Sequence, residues 1–206
     1  MLDKIITELD TVIKNLFTQP VSVRPHPDKN LSEGDLTDKE KKHISSLMRI
    51  NHCGEICAQG LYQGQSITSR NNTIKNTFKQ AAFEETEHLA WTKKRIEELG
   101  GHISILNPLF YAGSLAIGIT AGILGDKWSL GFLEETEYQV EAHLNKHLNE
   151  IPSTDEKSKA ILTQMKEDEM SHAEMAHNHG AAALPSPVKF MMQMFSKVMT
   201  KTTYYI

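Results

Sequence analysis

Residues 78–96 read FKQAAFEETEHLAWTKKRI, and residues 162–176 read LTQMKEDEMSHAEMA. Each stretch carries a Glu-x-x-His pair, Glu85 with His88 and Glu169 with His172, inside a helical apolar pattern. Residues three apart share one face of a helix, so both side chains of a pair point the same way. Phe78, Ala81, Ala82, Leu89 and Ile96 lie on that face in the first stretch; Leu162, Met165, Ala173 and Ala176 do so in the second. The bare spacing is weak evidence, because 18 Glu and 10 His in 206 residues supply about one such pair by chance. Phase sorts the four pairs that occur. Glu40/His43 sits among Lys39, Lys41 and Lys42 near a helix start, and Glu174/His177 shares a polar face with Glu167, so both point outward.

Working outward from these stretches, helical signals dominate, with no hairpin signature and no useful strand alternation. Thr37 with Glu40 forms a capping box that opens a first long helix, ending near Arg70 before Asn71-Asn72. The second runs over roughly 73–99 and stops at Gly100-Gly101. Asp126 is the expected N-cap of a third, roughly 127–149, and Ser153 with Glu156 the expected capping box of a fourth that reaches Gly180. On the first helix the inward carboxylate is Glu55, within Met48, Asn51, Ala58 and Tyr62. On the third, Glu137 alone falls on the stripe Leu130, Leu133, Val140, Leu144 and Leu148, while Glu134 and Glu135 align with polar neighbours.

Four long helices with a long second connection, roughly 101–126, imply an all-α, ferritin-like four-helix bundle, in which such a crossover joins two helical hairpins. Six ionisable groups then sit on four apolar stripes: Glu55, Glu85, His88, Glu137, Glu169 and His172. As plain surface charges they have no reason to share the core face, and burying four carboxylates without cations costs several kcal/mol each. A pair of metal ions removes that cost. One Glu from each of two helices plus Glu-x-x-His from each of the other two is the ligand set of a di-iron site. Glu84 and Asp168 stand four residues before His88 and His172, positioned to orient those rings.

The rest of the composition excludes alternatives. The net charge of −4 shows no basic excess for nucleic acid. Two cysteines, Cys53 and Cys57, make neither a zinc nor a disulfide framework and read as small core residues in a reducing compartment. No signal peptide is visible. The division expected is an N-terminal helix and linker over 1–35, with Ile5, Ile6, Leu9, Val12, Ile13, Leu16 and Phe17 at helical spacing, followed by the di-iron domain over 36–206.

RINHCGEICAQGLYQGQ at 49–65, EETEHLAW at 84–91, LNPLFYAGS at 106–114, LGFLEETEYQVEAHL at 130–144, EDEMSHAEMA at 167–176 and PVKFMMQMFSKVMTKTTYYI at 187–206 resemble the demethoxyubiquinone (demethoxyubiquinol) hydroxylases of ubiquinone biosynthesis. The intervals between the stretches match as well. The resemblance implies two irons per subunit on the six residues above, with Glu85 and Glu169 bridging. It implies a monooxygenase that adds a hydroxyl group from O2 to a demethoxy-ubiquinol ring, with reducing equivalents ultimately from NAD(P)H. No dinucleotide fingerprint is present, so electrons arrive through the quinone or a partner. Other ubiquinone-biosynthesis proteins are candidate partners, and a ferritin-like iron oxidation and storage protein is the alternative reading.

A lipid-borne substrate calls for a membrane-facing surface, and the expected location is peripheral, on the cytoplasmic face of the cell membrane. Residues 103–125 carry no charge but include Asn107, Pro108 and several Gly, which reads as a re-entrant or interfacial hairpin rather than a span, with a plain buried helix as the alternative. Gly118 and Gly122 allow close helix approach. In the tail 187–206, Val188, Met191, Met192, Phe195, Val198 and Met199 face one way beside Lys189, Lys197 and Lys201, as on a surface-bound helix or on one docked against the bundle or a partner subunit.

Overall fold

The computed structural model describes residues 2–206, with the backbone alone for Lys4 and Ile5. The Ile5 side chain of the N-terminal apolar pattern thus lies outside the described residues. Seven helices and no strand occur among them: α1 Leu2–Phe17, α2 Asp38–Thr68, α3 Asn72–Glu98, α4 Asn107–Ile123, α5 Asp126–Glu150, α6 Glu156–Asn178 and α7 Ser186–Thr203. Short turns pair α2 with α3 and α5 with α6, and the connection between these hairpins contains α4. This is the ferritin-like arrangement.

The capping box at Thr37 and Glu40 is present, each side chain bonded to the other's backbone N–H. The other two expected caps differ. Gly125, at φ 113°, precedes α5, and the Asp126 carboxylate instead accepts from Ser69 Oγ, Arg70 N and Asn71 N, tying the α2–α3 turn to the start of α5. At α6 the cap is Asp155, which accepts from Ser158 N at 3.0 Å and from Arg95 Nη2 at 2.9 Å. The fully buried Arg95 favours a carboxylate over a hydroxyl at that position.

α2 is the central element, covered by α1, α3, α4, α5 and α7. It is therefore buried nearly all round from Ile44 to Ser66, polar residues included. Those polar groups find partners on neighbouring elements: Gln59 Nε2 donates to Ala82 O, Gln65 Nε2 to Ser129 O, and Arg49 Nε to His102 O.

The segment 103–125 corrects the hairpin expectation. Its central part is one 17-residue helix, α4, packed along α2. The reason lies partly on α2, where Gly60 and Gly64 face α4 as Gly118 and Gly122 face α2. A Cβ on Gly64 would stand 2.6 Å from Ile119 N, and one on Gly118 would overlap the Leu61 carbonyl. Backbones this close bury the apolar helix on one side and leave Leu109 and Ile123 exposed on the other. No helix among the described residues is long and apolar enough to cross a membrane. α7 buries Met199 and Thr203 and exposes Phe190, Met191, Met194 and Val198.

Candidate metal centre

Helical phase brings six side chains to the middle of the bundle. Glu55 comes from α2, Glu85 and His88 from α3, Glu137 from α5, and Glu169 and His172 from α6, and all are buried. They form two overlapping groups, Glu55–Glu85–His88–Glu169 and Glu85–Glu137–Glu169–His172. Within each group one ligand atom per residue lies within 4.8 Å of all the others.

Glu85 and Glu169 belong to both groups, and their oxygens divide accordingly. Glu85 places Oε2 2.8 Å from His88 Nδ1 and Oε1 3.3 Å from His172 Nδ1. Glu169 places Oε1 3.3 Å from His88 Nδ1 and Oε2 3.3 Å from His172 Nδ1. Each carboxylate thus spans the two imidazoles, as a bridge between two ions requires.

The electrostatics fit cations at this place. Burial, followed by the Glu85 charge, pushes Glu55 well above the ordinary carboxylate range. Burial and the Glu169 charge do the same to Glu137, whose Oε1 is buried without a hydrogen-bond partner. Burial opposes ionisation of Glu85 too, but His88 and His172 outweigh it and hold that carboxyl low. Both imidazoles are raised, the carboxylates around them overcoming the desolvation that would lower them. Four carboxylates crowded in the core demand positive charge, and two divalent ions balance them. A mixed carboxylate and imidazole set suits iron or manganese. Such ions would take the place of the Nδ1 protons.

The outer nitrogens correct one expectation. Glu84 and Asp168 do orient the rings, but each serves the imidazole of the facing helix. His88 Nε2 meets Asp168 Oδ2 at 3.0 Å, and His172 Nε2 meets Glu84 Oε2 at 2.6 Å. With Nδ1 turned into the centre, Nε2 points across the α3–α6 seam, beyond reach of a residue one turn back on its own helix.

The outward assignments hold. Glu40 caps α2, while His43 Nδ1 lies 2.8 Å from Tyr204 Oη. Glu174 is exposed, and His177 meets Glu134 at 3.0 Å. Glu135 pairs with Lys189 at 2.6 Å. Both cysteines are free, with Cys53 buried against Phe110 and Met199.

Residues that the pattern reading passed over also reach this region. Ser22 and Arg24 join it from the N-terminal segment, and Glu87 binds them from α3. His143, which that reading also passed over, joins Asn51 of the inward α2 stripe in lining an apolar cavity of about 430 Å³ whose wall includes Glu55 and Glu137. These contacts do not advertise themselves in sequence, because Arg24 meets Asp168 across 144 residues and Asn51 meets His147 across 96.

Relatives match this chain along its length. A protein of Laribacter hongkongensis named 3-demethoxyubiquinol 3-hydroxylase is 60% identical over the whole of both chains. Proteins of the same name from Chromobacterium violaceum and Nitrosomonas europaea are 57% and 54% identical, the first over all of both chains and the second over all of this chain and 99% of its own. The family model described as "Ubiquinone biosynthesis protein COQ7" matches residues 42–203, a span that contains all six clustered side chains. With that match and relatives of this identity over the full chain, the protein belongs to the COQ7 ubiquinone biosynthesis family.

Proposed function

We propose that this chain hydroxylates the ring of 3-demethoxyubiquinol with O2, using two iron ions held by Glu55, Glu85, His88, Glu137, Glu169 and His172. The observation that carries the reading is the apolar cavity that opens onto two of those carboxylates. Family membership and the hydroxylase names of the relatives support it. Iron, when bound, supplies the electrons that activate O2.

The chain's own residues do the remaining work. Asp168 and Glu84 hold the two imidazoles by their outer nitrogens and keep Nδ1 turned inward. Ile50, Ala58, Leu61, Phe132 and Val140 line the cavity and keep bulk water from the carboxylates. A second apolar cavity, of about 520 Å³, shares Ile117, Phe132 and Val188 with the first. Together they form a greasy path for an isoprenoid tail, with the polar ring at the end nearer Glu55 and Glu137. Asn51 Oδ1 accepts from His147 Nδ1 at 2.9 Å, which leaves Asn51 Nδ2 as a buried donor without a partner, and His143 Nε2 is also unpartnered. Those two atoms are the groups in the cavity wall suited to the ring oxygens of a quinol.

We further propose a peripheral position on the cytoplasmic face of the membrane, and the lipid origin of such a substrate supports its membrane part. Ile123, Leu124 and Trp128 near the second cavity, and Phe190, Met191, Met194 and Phe195 on α7, make an exposed apolar rim. Lys197 and Lys201 flank it for anionic headgroups. Reducing equivalents come ultimately from NAD(P)H, and other ubiquinone-biosynthesis proteins are natural neighbours. Iron storage needs no organic cavity of this kind.

An anaerobic single-turnover assay tests the reading. Protein loaded with Fe(II) is mixed with demethoxy-quinol and exposed to isotopically labelled dioxygen. One labelled oxygen in the ring is the expected product by mass spectrometry. Oxidised iron with unchanged quinol, at saturating substrate, sinks the proposal.

A further inference from the structure

The two imidazoles of the centre are held by unlike arms. On one side, His88 Nε2 meets Asp168, and Asp168 is gripped in turn by Arg24, with Nη1 to Oδ2 at 2.7 Å and Nη2 to Oδ1 at 3.2 Å. The Arg24 guanidinium lies 4.9 Å from the centroid of the Trp91 ring, and that ring packs 5.4 Å from His88. On the other side, His172 Nε2 meets Glu84, whose second oxygen accepts from Gln80 at 2.7 Å. No Lys or Arg forms an ion pair with Glu84 among the described residues.

Arg24 is not a free surface side chain. The backbone that carries it is fixed on α3 by Glu87, which is 1% exposed. Glu87 accepts from Val23 N at 2.9 Å, from Arg24 N at 3.2 Å and from the Ser22 hydroxyl. Trp91 Nε1 also donates to Ser22 Oγ, at 3.1 Å. Three donors on consecutive residues of one loop converge on a single buried carboxylate, so the loop has one seat. These residues precede the span that the family model matches.

We propose that residues 22–24 are a strap through which Arg24 positions Asp168, and Asp168 the His88 ring, so that the two metal positions are inequivalent. A carboxylate that accepts from the outer N–H of a ligating imidazole orients the ring and raises its basicity. A bidentate guanidinium fixes that carboxylate in place and neutralises part of its charge. The His88 position is then geometrically the more rigid of the two, and the His172 ring is paired with the less compensated carboxylate. Arg24 is a positioning residue, and the inference rests on the metal-centre reading above.

The test titrates the full-length, metal-free protein with Co(II) alone, following its visible absorption and the number and affinity of sites. Wild type is expected to bind two ions. Arg24→Leu weakens one of them by about tenfold and moves the spectrum of that ion only, the lower end of what loss of such an outer partner costs. Arg24→Lys, which keeps charge without the fork, falls between. Glu87→Gln, which unseats the strap without touching Arg24, weakens the same ion, whereas Glu84→Gln weakens the other. The Arg24 side chain is 37% exposed, so the leucine variant keeps its fold, and circular dichroism verifies this. Two unaltered sites in Arg24→Leu overturn the proposal and leave the metal centre standing. Equal weakening of both sites with a lower thermal midpoint overturns it in favour of general scaffolding. A wild-type chain that binds no cobalt overturns the metal centre and the strap together.

Discussion

The centre has two faces built on opposite principles. Toward the α3–α6 seam the outer groups are answered in turn: His88 by Asp168, Asp168 by Arg24, and His172 by Glu84. Toward α2 and α5 the surroundings are apolar, Glu137 Oε1 has no hydrogen-bond partner, and a cavity adjoins Glu55 and Glu137. The hydrogen-bonded face is suited to hold ions in a fixed geometry, because each donor and acceptor restricts the next. The apolar face is suited to admit a reactant and exclude water, because it offers few groups that compete for either. Holding and access are thereby assigned to different helices.

The largest effect expected is at the carboxylates that span both positions. Glu85→Ala or Glu169→Ala removes an acceptor facing both imidazoles, so metal content and hydroxylation fall to background while helix content remains. Glu174→Ala, on the same helix as Glu169 but exposed, keeps both. Metal analysis of the purified variants, with circular dichroism, checks this. Equal damage from Glu174→Ala breaks the phase assignment of α6.

A smaller effect separates the faces. Ala58 lines the cavity and is 8% exposed. Ala58→Phe fills that space and raises KM for a short-tailed quinol about tenfold, corresponding to about 1.4 kcal/mol of lost binding, while cobalt affinity stays at the wild-type value. A parallel loss of metal affinity shows that the two faces are one unit.

The smallest effect belongs to a separate polar cluster in the last turn of α3. Arg95, fully buried, pairs with Glu33 at 2.8 Å and holds its carboxyl down to about 2. A depressed carboxyl adds stability above its ordinary pKa near 4.5 and loses it as pH falls toward about 2. Glu33 is 44% exposed, so solvent screening keeps the contribution below about 1 kcal/mol. Glu33→Gln therefore lowers thermal stability slightly at neutral pH and leaves metal content and KM unchanged. A drop in metal content shows that the Arg95 cluster and the hydrogen-bonded face act as one.

Much of this was legible in one dimension. The six clustered residues follow from the 3.6-residue period alone, since a helix turns residues three and four apart to one side whatever surrounds it. The same period rejected Glu40, Glu134, Glu135 and Glu174, and the capping box at Thr37 and Glu40 is a local bond that needs no partner from elsewhere. Tertiary structure decided the rest. Which imidazole each outer carboxylate serves depends on the facing helix, so the expected pairing within one helix gave way to pairing across the α3–α6 seam. The central part of 103–125 packs as one helix, Asn107–Ile123, along α2 because Gly60 and Gly64, more than forty residues earlier, let it approach. Asp155 displaced Ser153 as a cap because Arg95 from another helix needed its charge. Arg24 reaches the centre through contacts that only the folded chain brings together. Periodicity and capping act within a few residues and are therefore written locally, whereas hydrogen bonds and close packing between distant segments form only once the helices are assembled.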